Sequence, residues 1–215
     1  MSSFSVRMAE THVDLLDRLR PHRFFVALAR EEIPEERVRG WLCQEQHWGR
    51  EYLNSLSHLC GRAPKWMRRA LLETMLNIQG HFDLFEEQIA EAGVCDPTTT
   101  APEYPARALA VFFLATAHTA TVEEAVASEA AFNRFQFLAF SGGKAAQERP
   151  CRWQGMIEPR SDSNYHTWVG RIEEFADRAC EESSERTRAR MEKIYPLTAR
   201  FLIQYYDHCL RAYGP

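Results

Sequence analysis

The chain has 215 residues, 45% of them hydrophobic and 12% aromatic, enough for one domain with a sizeable buried core. The 26 Lys and Arg residues against 30 Asp and Glu give a net charge of −4, which argues against nucleic-acid binding, because such binding needs a basic surface. No apolar run approaches the roughly 18 residues of a membrane-spanning helix, so we expect no membrane partner.

The N-terminus and the cysteines both indicate a cytoplasmic protein. The first residues do not combine a basic segment with a following apolar segment, which a secretory signal would require. The six cysteines are scattered along the chain, without a CxxC pair and without zinc-ligand spacing. We therefore expect reduced thiols that pack as small apolar groups.

Helical periodicity dominates the chain, and no alternating strand pattern of useful length interrupts it. The predicted helices, in chain order, are Thr11–Arg20, Phe24–Ala29, Ile33–Gly61, Pro64–Gly93, Ala106–Ala117, Val122–Phe140, Tyr165–Cys180 and Ser184–Tyr213. Thr119 or Thr121 is expected to cap the sixth of these helices, and Ser141-Gly142-Gly143 to end it. The pattern predicts an all-α helical bundle that forms a single domain over residues 1–215.

Two segments between these helices are predicted to be irregular. The composition of Cys95–Pro102, rich in Thr and Pro, is typical of a loop. Residues 144–163 are polar and contain two prolines. They form either an ordered connector held in place by Trp153 or a flap.

Three segments, taken in order, resemble the TenA (thiaminase II) family, whose members share the haem-oxygenase-like helical fold. In the run from Pro34 to Trp48, the family has Leu-x-Gln, then an acidic residue and an aromatic residue three positions later. Glu45 and Trp48 occupy those two positions here. The other two segments are His81-Phe82-Asp83-Leu84-Phe85 with Glu86 and Gly93, and Tyr165-His166-Thr167-Trp168-Val169 with Glu174-Phe175. The resemblance covers nearly the whole chain.

The resemblance implies thiamine salvage, in which an aminopyrimidine or related thiamine-breakdown product binds between long helices and a C–N bond is hydrolysed. The chain is similar to the branch of the family that has Glu in an Ala-x-Glu-Ala-x-aromatic segment, and Glu129 stands at that position. Two departures put standard hydrolysis in doubt. The segment Ala127–Phe132 contains no nucleophilic cysteine, and Leu202 replaces a glutamate of the C-terminal helix.

Glu45 and Trp48 are three residues apart on one predicted helix, so they share a face. The carboxylate could hydrogen-bond the amino edge of a flat heteroaromatic ligand while the indole stacks on its ring. The alternative is a solvated glutamate beside a core tryptophan. With the resemblance, we predict Glu45 as a catalytic residue and Trp48 as a ligand-binding residue.

Four further aromatic or polar residues and one glutamate complete the predicted site. Glu129 lies among small and apolar residues, where a carboxylate is either on a solvated face or buried with acid–base chemistry available to it. We predict Glu129 and Tyr165 as catalytic, the tyrosine hydroxyl donating to a ligand or to Glu129. Asn133, Phe135 and His81 are predicted to bind the ligand, with Asn133 orienting the Glu129 carboxylate or the ligand itself. Each could instead be an ordinary packing residue.

Two other functions stay open at this point. One is a ligand-binding protein that is no longer catalytic, which the missing cysteine and Leu202 favour. The other is a metal-dependent oxidase or PqqC-like enzyme, for which His81 with Glu73 or Glu129 would supply ligands. The later histidine run of such oxidases is broken, because Gly170 and Glu173 follow His166 at that spacing. We therefore expect no metal and no cofactor.

The resemblance also implies a homo-oligomer, a dimer or a tetramer. Surplus aromatic residues that could form interface patches support it, namely Trp66, Phe112, Phe113, Tyr205 and Tyr206.

Overall fold

The computed structural model describes residues 2–92 and 100–215, with the side chains at positions 77, 81, 82 and 84–92 outside the description. These residues contain no strand, which confirms the all-α fold class. The helices are α1 (Phe4–Thr11), α2 (Val13–Leu19), α3 (Arg23–Ala29), α4 (Glu35–Arg62), α5 (Lys65–Ala92), α6 (Tyr104–Thr119), α7 (Val122–Ala145), α8 (Gln154–Ile157), α9 (Ser163–Glu181) and α10 (Glu185–Tyr213), with a 3₁₀ turn at Glu158–Arg160. Within these ranges, no helix has both the length and the apolar character needed to span a bilayer.

The first helix, α1, was not predicted. Eight residues are too few for a stable helix on propensity alone, so its stability must come from tertiary contacts. The backbone N–H and the hydroxyl of Ser5 donate to the two carboxylate oxygens of Asp177 on α9, at 2.6 and 2.9 Å. Phe4 is buried with its ring edge-on to Tyr195, the centroids 6.1 Å apart.

The predicted end of α7 at Phe140 is wrong, because the helix continues to Ala145. Gly142 and Gly143 do not terminate it. Instead they allow the backbone of the α2–α3 segment to pack directly against the helix. A Cβ atom on Gly142 would lie 1.4 Å from the carbonyl oxygen of Arg20, and one on Gly143 would lie 2.8 Å from that of Phe25. The glycines are therefore packing residues rather than a helix stop.

The other end of α7 confirms one of the two predicted caps. The hydroxyl of Thr121 accepts a hydrogen bond from the Glu124 N–H at 3.3 Å, and the Glu124 carboxylate accepts one from the Thr121 N–H at 2.9 Å. This reciprocal pair is a capping box.

The segment 144–163 is an ordered connector in the structure. It contains α8, with Met156 and Ile157 buried, and Trp153 half-buried at the helix N-cap. The guanidinium of Arg160, also buried, lies over the ring of Phe140 at 5.2 Å and donates to the Met156 carbonyl.

Backbone contacts divide the chain into two compact units, residues 34–125 and the remainder. In the unit of residues 34–125, α4 packs against both α5 and α6. In the other, α10 packs against α2, α3 and α9, and α1 packs against α9. The prediction of a single domain over residues 1–215 stays a prediction.

The cysteines follow the prediction at four described positions. Cys60, Cys151, Cys180 and Cys209 are buried and form no disulfide. Cys43, buried on α4, is disulfide-bonded, so the expectation of reduced thiols is wrong at that position. Sequence spacing carried no signal for it, because a disulfide depends on the distance between two folded positions. Cys95 and the rest of residues 93–99 lie outside the described residues, as does most of the predicted loop.

Protonation of His22 should destabilise the fold. His22 is the N-cap of α3, where its Nδ1 accepts the Phe24 N–H at 3.4 Å while Nε2 lies 3.3 Å from Asp207 Oδ1. Both contacts are satisfied by a neutral ring protonated on Nε2. Burial lowers the pKa of His22 below its ordinary value of 6.5, although Asp207 opposes that shift.

Because the folded-state pKa lies below the unfolded one, the contribution of His22 is complete above about pH 6.5. It is lost as the pH falls through the lowered folded-state pKa. Unfolding free energies measured from pH 8 to pH 5 should therefore fall less steeply in His22→Asn, which keeps a capping side chain without this titration. Parallel pH profiles for the two proteins would contradict the assignment.

Candidate functional site

On α4, Glu45 and Trp48 share a face, as their spacing predicted. Both are buried, with 2% and 4% of their surface exposed, so the alternative of a solvated Glu45 is excluded. The indole N–H of Trp48 donates to Glu45 Oε1 at 3.0 Å. This bond fixes the orientation of the indole ring relative to the carboxylate, a constraint that spacing alone did not predict.

Aromatic rings continue from Trp48 along the same unit. The centroids of Trp48 and Tyr52 are 5.9 Å apart, and Tyr52 makes an edge contact with Phe113 of α6 at 5.0 Å. Gln44 anchors the start of α6, since its Oε1 accepts the backbone N–H of Glu103 at 2.8 Å. The wall around Glu45 is therefore made of packed aromatic side chains on two helices that contact each other.

A second polar cluster lies on one face of α7 and on α9. Glu129, Asn133 and Gln136 of α7 are all buried, and their spacing of four and three residues places them in one row. Asn133 Nδ2 donates to the backbone carbonyl of Glu129 at 2.9 Å, so this bond is made to the main chain of α7. Asn133 Oδ1 accepts from the Tyr165 hydroxyl at 3.0 Å and from Trp168 Nε1 at 3.2 Å.

The orientation of the Asn133 amide follows from its partners. The indole N–H of Trp168 can only donate, and the Glu129 carbonyl can only accept, so Oδ1 must face α9 and Nδ2 must face the Glu129 backbone. Tyr165 also lies 2.7 Å from Gln136 Oε1, although its hydroxyl has a single proton. All three groups are satisfied if Tyr165 donates to Asn133 and the Gln136 amide is turned to donate to Tyr165.

The local environment keeps Tyr165 protonated. Burial raises the pKa of Tyr165 well above its ordinary value of 10; the nearby Glu129 carboxylate raises it further, and the Arg160 guanidinium partly opposes both. Its backbone is also fixed, because the N-cap Asp162 of α9 accepts the Tyr165 N–H at 2.7 Å. Tyr165 is thus a neutral phenol whose hydroxyl bonds to Asn133 and Gln136.

An ion pair on the neighbouring side of α7 connects the same two helices. Arg134 makes a two-point contact with the carboxylate of Glu173, its Nη2 donating to Oε2 at 2.7 Å. Burial opposes the charge on Arg134, but the Glu173 carboxylate still raises the pKa of the guanidinium. Tyr195 of α10 is buried nearby, and burial raises its pKa as well.

Of the two remaining predicted site residues, Phe135 lies away from the cluster and the side chain of His81 is outside the description. Phe135 is fully buried and packs against Tyr195 at 5.7 Å. At about 100° per residue it lies about 120° around α7 from Glu129, so the structure does not bring it to the cluster. Leu202 is fully buried on α10, and the side chain of His81 lies outside the described residues.

The predicted absence of a metal site rests on the sequence. Glu73, a candidate ligand, is half-exposed and pairs with Arg69 at 2.9 Å. In the part of the chain that the structure describes, no three His, Cys, Asp or Glu side chains gather into a group that could hold a metal ion.

Gln136 and Trp168 are cluster residues that sequence reasoning missed. Gln136 continues the row of Glu129 and Asn133, and this was a usable signal, because polar residues at i, i+4 and i+7 on a helix of small and apolar residues are unusual. Trp168 was quoted only as part of a resemblance. Its role depends on how α9 packs against α7, which sequence spacing does not encode.

Comparisons with known proteins give one match to a family and several to solved structures. The model of the TENA/THI-4/PQQC family matches residues 10–212. The search of curated proteins gives no match.

The matching structures share the fold at low sequence identity. A TenA homologue from Pyrococcus furiosus is 18% identical, with a TM-score of 0.90 over 96% of this chain and 99% of that one. A TenA family transcription regulator from Silicibacter sp. TM1040 is 14% identical, with a TM-score of 0.82 over 97% and 96%. A protein from Sulfolobus solfataricus provisionally described as a TenA-like thiaminase is 13% identical, with a TM-score of 0.78 over 99% and 98%.

Proposed function

Because the chain belongs to the TENA/THI-4/PQQC family, we propose that it binds an aminopyrimidine or a related heteroaromatic thiamine-breakdown product and hydrolyses a C–N bond in it. The observation that carries this proposal is the buried carboxylate of Glu129 within electrostatic reach of the Tyr165 hydroxyl, on a helix row otherwise occupied by amides. A carboxylate withdrawn from solvent in this way is suited to acid–base work.

In the proposed reaction, Glu129 acts as the general acid–base group. It accepts a proton from the attacking water. With an aminomethyl substrate it returns a proton to the departing nitrogen, so that ammonia leaves in neutral form. With thiamine the quaternary nitrogen needs no proton, because breaking the C–N bond already gives neutral thiazole, and the proton taken from water passes to the solvent. Glu45 is proposed to accept a hydrogen bond from a ligand amino group, and Trp48 to stack on a flat ring. The bond between Trp48 and Glu45 supports these roles, because it fixes both groups before a ligand arrives.

Tyr165 takes a different role from the one that its position in the family resemblance implies. With the Gln136 amide turned, Tyr165 donates its single proton to Asn133 and accepts a hydrogen bond from Gln136. We propose that it therefore donates none to the ligand. It is therefore a positioning residue of the cluster, and Asn133 and Gln136 act through it.

The test of the proposed function is an assay of the purified protein with two substrates. Thiamine should release its thiazole, and an aminomethyl-substituted aminopyrimidine should release ammonia. Thermal-shift measurements with the same compounds report binding separately from turnover. The proposal would be contradicted if neither compound released its product and neither stabilised the protein.

A non-catalytic ligand-binding protein is the second candidate, and the buried Leu202 favours it. An apolar side chain at that position can take no part in proton transfer, so catalysis would depend on Glu129 alone. Stabilisation by a heteroaromatic ligand without release of product would support this second function. For the metal-dependent oxidase or PqqC-like alternative, no described cluster of ligands offers support.

We also propose a homo-oligomer, a dimer or tetramer, that works in the cytoplasm. The residues expected to support an interface are corrected by the structure, because Phe113, Tyr205 and Tyr206 are buried. Exposed apolar side chains are found instead at Leu76, with 75% of its surface exposed, and at Tyr104, with 83%.

Removal of the Tyr165 hydroxyl should cost stability. Tyr165→Phe leaves the buried Gln136 amide without its partner on α9, and an unsatisfied buried group of this kind costs about 1–2 kcal/mol. Chemical denaturation would measure the loss. The matched control is Tyr104→Phe, which removes a hydroxyl from an exposed ring and should leave the unfolding free energy unchanged. Equal effects of the two substitutions would contradict the hydrogen-bond assignment.

A further inference from the structure

Gln46 on α4 is a buried amide that no group among the described residues satisfies. Only 1% of its surface is exposed. Neither Oε1 nor Nε2 has a hydrogen-bond partner within residues 2–92 and 100–215. Buried side-chain amides are normally paired, and each exception calls for an explanation.

The two polar residues that precede Gln46 do not share this property. Gln44, two residues earlier and also buried, accepts the Glu103 N–H, and Glu45 accepts the Trp48 indole N–H. The fold therefore gives both of these side chains a hydrogen-bond partner. His47 Nε2, next in the chain, is also buried without a partner among the described residues.

An unpaired buried amide works against folding. The amide loses its hydrogen bonds to water on folding and gains none in return, whereas an apolar side chain of the same length would lose nothing. If Gln46 has any benefit, that benefit must come from a group that binds to the folded protein.

We infer that Gln46 is a ligand-binding residue that pairs with a donor–acceptor edge, an amino group beside a ring nitrogen. A carboxamide presents one acceptor and two donors in a plane, so Oε1 can accept from the amino group while Nε2 donates to the ring nitrogen. The same pairing joins glutamine to the edge of adenine in nucleic-acid recognition.

The position of Gln46 on α4 fits this role. At about 100° per residue, Gln46 lies about 100° around the helix from Glu45, on the side away from Trp48. The Gln46 amide would therefore meet a ligand edge beside Glu45, and not the ring face on which Trp48 is proposed to stack. This inference rests on the proposed function, because the edge that Gln46 would bind is that of an aminopyrimidine.

The experiment compares two glutamines of the same helix, each replaced by methionine, which is similar in length and flexible enough to fit the same space. Melting temperatures are measured for wild type, Gln46→Met and Gln44→Met. Binding is measured by calorimetry with 4-aminopyrimidine and with 4-(dimethylamino)pyrimidine, which has the same ring but no N–H to donate.

Gln46→Met should raise the melting temperature by about 2–4 °C, because the unpaired amide is gone, and should weaken 4-aminopyrimidine binding by about tenfold or more. Gln44→Met should lower the melting temperature, because it leaves the Glu103 N–H without its partner. The dimethylated probe keeps the ring nitrogen but has no N–H for Oε1, so Gln46→Met should weaken its binding less than that of 4-aminopyrimidine.

Three results would overturn the inference. A lower melting temperature for Gln46→Met would mean that the amide is satisfied in the free protein. Unchanged affinity of Gln46→Met for 4-aminopyrimidine, with wild type binding it, would remove the ligand role of Gln46 alone and leave the proposed function intact. No binding of 4-aminopyrimidine by wild type would count against both.

Discussion

Replacing Gly142 with alanine should lower the free energy of unfolding by about 3 kcal/mol or more. The added methyl group would lie 1.4 Å from the carbonyl oxygen of Arg20, far inside van der Waals contact. The obstacle is main chain rather than the end of a flexible side chain, so α7 or the α2–α3 segment would have to move. The melting temperature should fall by about 6–12 °C, since a domain of this size loses about 2–4 °C per kcal/mol.

Gly170→Ala is the matched control for this substitution. Gly170 lies inside α9, and a Cβ atom added there would meet nothing within 4 Å. Alanine favours a helix over glycine by about 0.5–1 kcal/mol, so the control should be stabilising. If both alanine variants melted within a degree of each other, the close contact between Gly142 and Arg20 would be wrong.

Replacing Glu129 with glutamine should reduce kcat for release of thiazole or ammonia by about 10²–10⁴-fold. The amide has nearly the same shape as the carboxylate but can neither accept a proton from water nor return one to a leaving amine. Ligand binding, followed by thermal shift, should change much less than turnover, because the packing of the cluster is retained. The pH profile of kcat should also show one ionisation fewer in the variant than in wild type.

Glu123→Gln tests whether the effect belongs to position 129. Glu123 lies in the first turn of α7, half-exposed, so its substitution changes the same charge on the same helix outside the cluster. Its activity should stay near that of wild type. Activity of Glu129→Gln within about threefold of wild type would remove Glu129 from the mechanism and leave the binding function.

The sequence predicted a helix accurately where the apolar stripe and the end signals lie within that helix and its flanking residues. The apolar stripe of α4 and the Pro and Gly residues around it predicted that helix to within a residue or two of its observed ends. In contrast, α1 depends on Asp177 of a distant helix, and α7 continues through two glycines because another segment packs against them. Local sequence cannot report either contact.

The same distinction applies to the candidate site. The shared face of Glu45 and Trp48, and of Glu129 and Asn133, followed from helical spacing, because both pairs lie on single helices. The partners of Asn133 on α9, the contact of Gln136 with Tyr165 and the burial of Phe135 against Tyr195 depend on how helices pack. The lack of a partner for Gln46 is likewise visible only in three dimensions.

The Asn133 amide joins the backbone of α7 to two ring donors of α9, and this has a consequence for the evolution of the chain. A substitution at position 133 breaks three hydrogen bonds at once, whereas a change at 165 or 168 breaks only those of one ring. The three positions are therefore expected to covary among homologues. Lineages with an apolar residue at 133 should have phenylalanine at 165 and no indole at 168.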